Sequence, residues 1–385
     1  MSEAMRVAMR QYLTDNQETL RKLHDHGLRW RAAVAGDSLF DDPNLSETRF
    51  WTSAEAIRLL QIEAHVALAD RDGDTAAAAL DAGLLLVKQS LRFASVTRIH
   101  RERRFFQSMA YSVRDAIISG VLESENLERL QQVFSSVRSE NILPWELQRQ
   151  LNWGIDFFGR PELMEPYPPT PVDRFFPGFD RMIVSAKHRS GLIDIERQQF
   201  LRNIHQMAGY LDKPALERFQ LLKQMMGKLL QGQGYFRRFY AELTWTAISL
   251  FKVDAETQAQ VAFATAALAL ERYRLEQGSL PDSLEALTPD YLPAIPNDPF
   301  DDAPLRYLPQ EDGFILYAVG VDGIDNRGQF IRDGASYGNW DYPNDVAFTL
   351  QYRYNTSTDS AEAEGQPDPA VGTGDYSREG RGWKS

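Results

Sequence analysis

Five oxygen-bearing side chains lie close together near the end of the chain, and glycines separate them. The set is Asp322, Asp325, Asn326, Asp333 and Ser336, with glycines at positions 320, 323, 328, 334 and 338. Calcium takes about six to eight oxygen ligands in flexible geometry, and carboxylates, amide oxygens and backbone carbonyls all serve. Glycine tolerates positive φ angles, so such a loop can turn its own carbonyls toward an ion. Because the spacing differs from that of an EF-hand loop, the sequence predicts an irregular calcium site.

The same loop has a second interpretation that needs no ion. Aspartate is common in turns because its carboxylate accepts a hydrogen bond from the backbone two residues on. The aspartates would then cap local turns in a solvated loop. If an ion binds, it neutralises the repulsion between carboxylates, and we expect its role to be folding stability rather than catalysis.

No catalytic constellation accompanies this loop in the sequence. The chain lacks the nucleophile elbow, the phosphate-binding loop, the dinucleotide fingerprint and the His-Glu-x-x-His motif. It contains no cysteine, which excludes disulfides, thiolate metal sites and cysteine nucleophiles. His24 and His26 could bind a metal, but positions two apart on a helix do not face each other, so a solvated pair is favoured. We therefore expect no enzyme; the alternative is an enzyme with an unrecognised site in the helical part.

Charge and hydropathy limit the partners. The chain has 42 basic and 54 acidic residues and a net charge of −12. A surface that binds phosphates shows basic clustering, whereas the densest basic run, residues 98–104, is typical of a salt-bridged helix face. No apolar run approaches the roughly 20 residues that span a bilayer, and residues 1–10 lack the apolar core of a signal peptide. The sequence therefore predicts a protein partner, no nucleic acid and no direct membrane span, and it leaves the oligomeric state open.

Helical patterns fill residues 3–278 ahead of this loop. A capping-box pattern at Thr52 opens a stretch with apolar residues three and four apart. Residues 70–74 break the pattern, and residues 76–91 are helical again. This pair resembles one tetratricopeptide-type hairpin, although no second copy follows at the period of about 34 residues. Further helices are predicted over about 96–119, 123–138, 144–158, 173–188, 192–211, 214–231 and 235–251.

The helix predicted over residues 254–277 has apolar stripes on two roughly opposite sides, which predicts burial from both sides. After it, strand-like runs at residues 305–308 and 314–319 flank a turn signal at residues 310–313. Residues 346–352 are predicted as a further strand. From there on, small, polar and acidic residues dominate, which predicts disorder.

The segment from Ala266 to Asp341 resembles the globular part of the major (G-type) pseudopilins of type II secretion systems. The matching stretches are 271–275 (ERYRL), 278–281 (GSLP), 284–287 (LEAL), 291–293 (YLP), 296–300 (PNDPF), 305–307 (LRY), 317–323 (YAVGVDG) and 338–340 (GNW). They cover about a fifth of the chain, and their order and spacing carry the resemblance. It implies a long helix packed on a small antiparallel sheet and a calcium ion in the loop after the last strand.

The same resemblance assigns ion ligands residue by residue. It implies that the Val319 carbonyl and Asp322 bind calcium. The second carboxylate of the family falls where this chain has Ser336, so Asp333 is the natural substitute, and Asp325 is a further ligand candidate. Pseudopilins begin with a membrane-anchoring helix, whereas here about 250 helical residues stand in that place. Filament formation by the usual mode is therefore not expected.

These observations predict a mainly α protein with a multi-helix N-terminal body and a small C-terminal α+β module. We expect the body over residues 1–252, with a possible boundary inside it near 161–171. The pseudopilin-like module is expected over 253–352 and a disordered tail over 353–385. The predicted function is a non-enzymatic, calcium-binding interaction or assembly protein of the cell envelope or periplasm, related to secretion- and pilus-type machinery. The main alternative is a cytoplasmic helical scaffold.

Overall fold

A computed structural model describes residues 2–33, 47–91, 96–137, 143–160, 179–231, 238–329 and 345–352. Within these residues the chain forms eleven α-helices and one three-stranded sheet. The helices are α1 (Glu3–Asp15), α2 (Gln17–Ala33), α3 (Glu47–Ala69), α4 (Gly73–Leu91), α5 (Val96–Ser119), α6 (Ser124–Val137), α7 (Leu143–Gly159), α8 (Phe179–Arg189), α9 (Leu192–Ala208), α10 (Ala215–Gln231) and α11 (Arg238–Gln277). The strands are β1 (Arg306–Gln310), β2 (Gly313–Ala318) and β3 (Val346–Gln351). The prediction of a mainly α protein with a small antiparallel sheet is confirmed. The predicted disordered tail and the boundary near 161–171 lie outside the described residues.

Helices α3 and α4 form the hairpin that the sequence predicted, and they pack on each other. Helix α3 begins at Glu47, so Thr52 lies inside the helix rather than at its N-terminus. The turn after Ala69 is closed by Asp72, whose carboxylate accepts a 3.0 Å hydrogen bond from the Thr75 backbone N–H. This bond satisfies a free donor in the first turn of α4.

The first six helices, taken as three consecutive pairs along the chain, stack in two rows. The first helix of each pair contacts the first helix of the next, α1 with α3 and α3 with α5. The second helices behave likewise, α2 with α4 and α4 with α6. Hydrogen bonds between the second and third pairs join residues 47 to 52 positions apart, as in Gln61–Ser108, Asp81–Arg129 and Asp74–Asn126. The predicted hairpin is therefore one of three stacked pairs, and their spacing is longer than the tetratricopeptide period of about 34 residues.

Helix α11 is the central element of the molecule. It runs without interruption for 40 residues, so two predicted helices are one, and the predicted start of the C-terminal module at residue 253 lies inside it. Residues 259–271 are all buried. On its different sides α11 contacts α5, α6, α7, α9, α10 and strands β2 and β3. The prediction that this helix is buried from both sides is confirmed.

The sheet has the order β1-β2-β3 and is antiparallel throughout. Gln310 pairs with Gly313, so a two-residue turn joins β1 to β2, and Ala318 pairs with Val346 at the start of β3. Gly313 has no room for a side chain, because a Cβ there would lie 2.0 Å from the Leu350 carbonyl oxygen. The sheet packs on α11, where the rings of Phe263 and Phe348 lie 6.4 Å apart. The three predicted strands are confirmed.

Candidate functional site

The glycine-spaced loop begins directly after β2, and the structure describes it as far as residue 329. The Gly323 N–H donates a 3.0 Å hydrogen bond to the Gly320 carbonyl, which closes a tight turn. Gly323 and Gly328 have φ angles of 69° and 73°, in the left-handed region that favours glycine. These two glycines therefore allow the chain to turn within the loop.

Asp322 and Asp325 each make the local hydrogen bond that the ion-free interpretation predicted. Asp322 Oδ1 accepts from the Ile324 N–H at 3.3 Å, and Asp325 Oδ1 accepts from the Arg327 N–H at 2.8 Å. Their second oxygens differ. Asp322 Oδ2 is buried and has no hydrogen-bond partner among the described residues, whereas Asp325 Oδ2 lies 3.3 Å from Arg306 Nε.

The remaining predicted ligands are placed only in part. Val319 is buried, and its N–H donates to Asp298 Oδ2 at 2.7 Å. Asp333 and Ser336 lie outside the described residues. Across the part of the chain that the structure describes, no group of three or more acidic or histidine side chains is arranged to hold a metal ion.

A buried ion-pair network lies beside this loop, and the sequence analysis missed it. Arg306 Nη1 donates to Asp298 Oδ2, and Arg306 Nη2 donates to Asp301 Oδ2, both at 2.6 Å. The Asp298 side chain is 0% exposed and also accepts from the Phe300 N–H at 2.8 Å. Burial raises the pKa of Asp298 to about 6, although these hydrogen bonds and the Arg306 charge act in the opposite direction. Asp298 thus ties the start of the glycine-spaced loop, at Val319, to the loop before β1.

Asp345 holds the other end of the described loop. It lies directly before β3 and is 1% exposed. Its carboxylate accepts from the Asn326 N–H at 3.0 Å and from the Gly328 N–H at 2.7 Å. Burial raises the pKa of Asp345, and the two backbone hydrogen bonds oppose that rise. Two buried carboxylates therefore fix residues 319–328 at both ends.

The loop before β1 is also anchored to helix α10. Asp302 Oδ2 accepts a 2.8 Å hydrogen bond from the Ala215 N–H, so a residue from a distant part of the chain caps the start of this helix. The rings of Phe219 and Phe300 lie 5.3 Å apart. A Cβ on Gly323 would lie 2.4 Å from Leu216 Cδ1, which shows how closely the glycine-spaced loop approaches the helix.

Buried charge also occurs in the helical body. Glu146 on α7 is 3% exposed, and burial raises its pKa to about 7 against the attraction of Arg149, whose Nη1 lies 3.2 Å away. Lys187 Nζ and Glu196 Oε1 form a 2.7 Å ion pair in which both side chains are buried. Groups of this kind occur in catalytic sites and in structural ion-pair networks alike.

Helix α7 presents large apolar side chains to solvent. Trp145 is 76% exposed, Trp153 is 49% exposed and Ile155 is 46% exposed. The opposite face is tightly packed, because a Cβ on Gly154 would lie 2.1 Å from the ring of Phe200 on α9. Exposed apolar surface of this kind marks interaction sites in soluble proteins.

The described residues thus offer two features with functional potential: a loop fixed by buried carboxylates, and a helix with exposed tryptophans. None of the helices within those residues is both long and apolar enough to cross a membrane. No family model, curated protein or solved structure matches this chain.

Proposed function

We propose that this protein is a non-enzymatic interaction or assembly component of the cell envelope. The observation that carries the proposal is the exposure of Trp145 and Trp153 on a helix whose other face is fixed against α9. Tryptophan is the residue type most enriched among those that dominate binding energy in protein interfaces. Stacked helix pairs also form extended binding surfaces in other proteins, and α1–α6 stack in this way.

This part of the proposal is tested by comparing complexes in gently lysed native cells. We expect the wild-type chain to elute by size exclusion well above its own mass of 43.9 kDa. Trp145→Ser removes an exposed apolar side chain and should return the chain to its monomer position. Gln148→Ser changes a neighbouring exposed position on the same helix and should leave the complex intact. A wild-type chain that elutes alone, or a complex that survives Trp145→Ser, overturns the proposal.

The second part of the proposal is that the loop after β2 binds calcium as a structural ion. Asp322 Oδ2 supports it, because a buried carboxylate oxygen without a hydrogen bond is costly, and a hard cation is a suitable partner. The Val319 carbonyl, Asp322 and Asp325 would bind the ion, together with Asp333 and Ser336 from outside the described residues. The ion would supply positive charge to the loop and hold it against the sheet.

Thermal unfolding in calcium and in chelator tests this second part. An ion that binds only the folded state stabilises it by about 2.7 kcal/mol at a hundredfold excess over Kd. We expect a higher midpoint in calcium for the wild-type chain and a reduced difference for Asp322→Asn. An identical unfolding midpoint in calcium and in chelator would contradict the proposed calcium site.

The arrangement of α11 against β2 and β3 supports the proposed relation to secretion- and pilus-type machinery. The resemblance implied a long helix on a small antiparallel sheet, and α11 contacts two of the three strands, β2 and β3. Envelope and periplasmic localisation follows from that proposed relation. Fractionation of native cells tests it: recovery with the envelope or periplasm is expected, and recovery only in the cytoplasm would favour the scaffold alternative.

A further inference from the structure

The first helix pair, α1 with α2, lies at the end of the helical stack, and few of its side chains within the described residues 2–25 are buried. Helix α1 buries none of its residues. On α2, Leu20 is 7% exposed and packs in a small apolar cluster with Leu59, Leu60 and Ala82 of the next pair. Segments with few buried apolar contacts open at a lower free energy than the rest of a protein. We therefore expect the terminal pair to open more readily than the pair that it covers.

Among the side chains that the structure describes, two polar contacts connect this pair to α3 and the turn that follows it. Arg10 forms an ion pair with Asp70, and both side chains are substantially exposed. Exposed ion pairs contribute little. His24 Nε2 lies 2.7 Å from Glu63 Oε2, and these side chains are only 28% and 16% exposed. His24 is thus not the solvated residue that the sequence predicted, and its contact with Glu63 is the stronger of the two.

The charges around His24 come from four helices. Glu63 of α3 faces it, and Asp25 neighbours it on α2 itself. Arg129 of α6 also acts on it, and the Arg129 guanidinium is paired with Asp81 of α4 at 3.0 Å. The hydrogen bond with Glu63 is the main cause that raises the pKa of His24, and burial and Arg129 act against it.

We propose that the α1–α2 pair is a pH-sensitive cap on the helical stack. The contact between His24 and Glu63, called the clasp below, holds this cap closed. When His24 loses its proton, the clasp weakens and the cap opens more often. Opening exposes Leu59, Leu60 and Ala82, an apolar surface that the cap otherwise covers.

The direction of the pH dependence follows from the raised pKa of His24 in the folded chain. The stabilisation is complete below the unfolded pKa of about 6.5 and is lost as the pH rises through the higher folded value. The cap is therefore tighter in acid than in alkali. A neutral imidazole can still form a hydrogen bond with Glu63, but a charge-assisted bond is roughly twice as strong. We expect the opening constant to rise about fivefold between pH 5.5 and pH 8.5.

Distance measurement between two spin labels tests the cap directly. Cysteines are introduced at Ala8 on α1 and at Gln132 on α6, which are both exposed positions. Because the chain has no other cysteine, the spin label reacts at these two sites only. At pH 5.5 we expect one main distance. At pH 8.5 a second, longer-distance population should grow by about fivefold.

Two variants separate the clasp from general effects of pH. His24→Gln retains a neutral hydrogen-bond donor but cannot titrate, so its distance distribution should not change with pH. His65→Gln is the matched control, because His65 Nε2 lies 3.7 Å from Asp115 between α3 and α5, inside the stack; it should keep the wild-type pH response. If His24→Gln does not fold, Glu63→Gln removes the charge from the other partner. The proposal is overturned if the wild-type distance distribution does not change with pH. It is also overturned if the pH response persists in the variant that lacks the His24–Glu63 contact, or if His65→Gln abolishes the pH response.

Discussion

The helical stack and the loops around the sheet are held together in different ways. In the stack, α4 is buried among its neighbours through small and apolar side chains, and Ala76, Ala77 and Leu80 are fully buried. Around the sheet, two buried carboxylates, Asp298 and Asp345, accept hydrogen bonds from the backbone of a glycine-rich loop. Stabilisation is therefore spread over many residues in the stack and concentrated in a few acids near the sheet.

This difference decides how each region responds to substitution and to solution conditions. Apolar packing is insensitive to pH, and its loss scales with the volume that is removed. A buried carboxylate with several donors cannot be replaced without leaving those donors unsatisfied, and its contribution depends on its protonation state. The variants below separate these two kinds of stabilisation.

The largest effect is expected at Asp298. Asp298→Ala leaves Arg306 and the Phe300 and Val319 N–H groups without their acceptor, and breaking a buried ion pair costs about 3–5 kcal/mol. Urea unfolding measures this loss. Asp301→Ala is the matched control, because Asp301 contacts the same guanidinium from a side chain that is 17% exposed. An equal or greater loss for Asp301→Ala would contradict the central role of Asp298.

In the stack, Leu80→Ala tests packing without charge. Leu80 is fully buried on α4, and truncations of this kind cost about 2–5 kcal/mol. The loss in free energy of unfolding should be the same at pH 5 and pH 8, because no titrating group is removed. A loss that changes strongly between the two pH values would show that the packing around Leu80 is coupled to a titrating group.

Glu146 is expected to introduce a pH dependence into the helical body. Its pKa is raised from 4.5 to about 7, so the folded chain favours the protonated form. The charged form therefore lowers the stability of the wild-type chain as the pH rises from about 4.5 to 7. Glu146→Gln lacks that decline, and at pH 8 it should be about 1–3 kcal/mol more stable than the wild type. The two chains should converge near pH 4.5 in denaturant titrations; a constant difference at every pH would rule out this assignment.

The smallest effect is expected at Asp302, which caps α10. Asp302→Ala removes the acceptor of the Ala215 N–H, and losing such a cap costs about 1 kcal/mol. Hydrogen exchange in the first turn of α10 should increase. Asp302→Asn keeps an oxygen acceptor and tolerates the φ of 63° at this position, so it should behave like the wild type. Unchanged exchange in Asp302→Ala would show that the contact does not stabilise the helix.

Much of the fold could be predicted from the sequence because its signals are local. The α3–α4 hairpin and the three strands follow from apolar periodicity and turn residues within short windows. The continuity of α11 could not be predicted so easily, since two separate helical patterns meet near residue 253 without a glycine or proline between them.

The carboxylate network was missed for a different reason. Asp298 binds the Val319 N–H across 21 positions, and Asp345 binds the Gly328 N–H across 17. No sequence spacing reports such pairing, because a backbone N–H is present at nearly every residue. The predicted ligands Asp322 and Asp325 do lie in one loop, and their glycine spacing was the signal that identified it. The role of Arg306 beside Asp325 depends on the register of β1 against β2, which only the fold supplies.

We propose that the loop after β2 binds calcium through Asp322. Isothermal titration of the chelator-treated full chain with calcium measures this most directly. We expect the wild-type chain to bind about one calcium ion and Asp322→Asn to bind calcium clearly more weakly. A wild-type chain that binds no calcium, or an Asp322→Asn chain that binds it equally well, would contradict the claim.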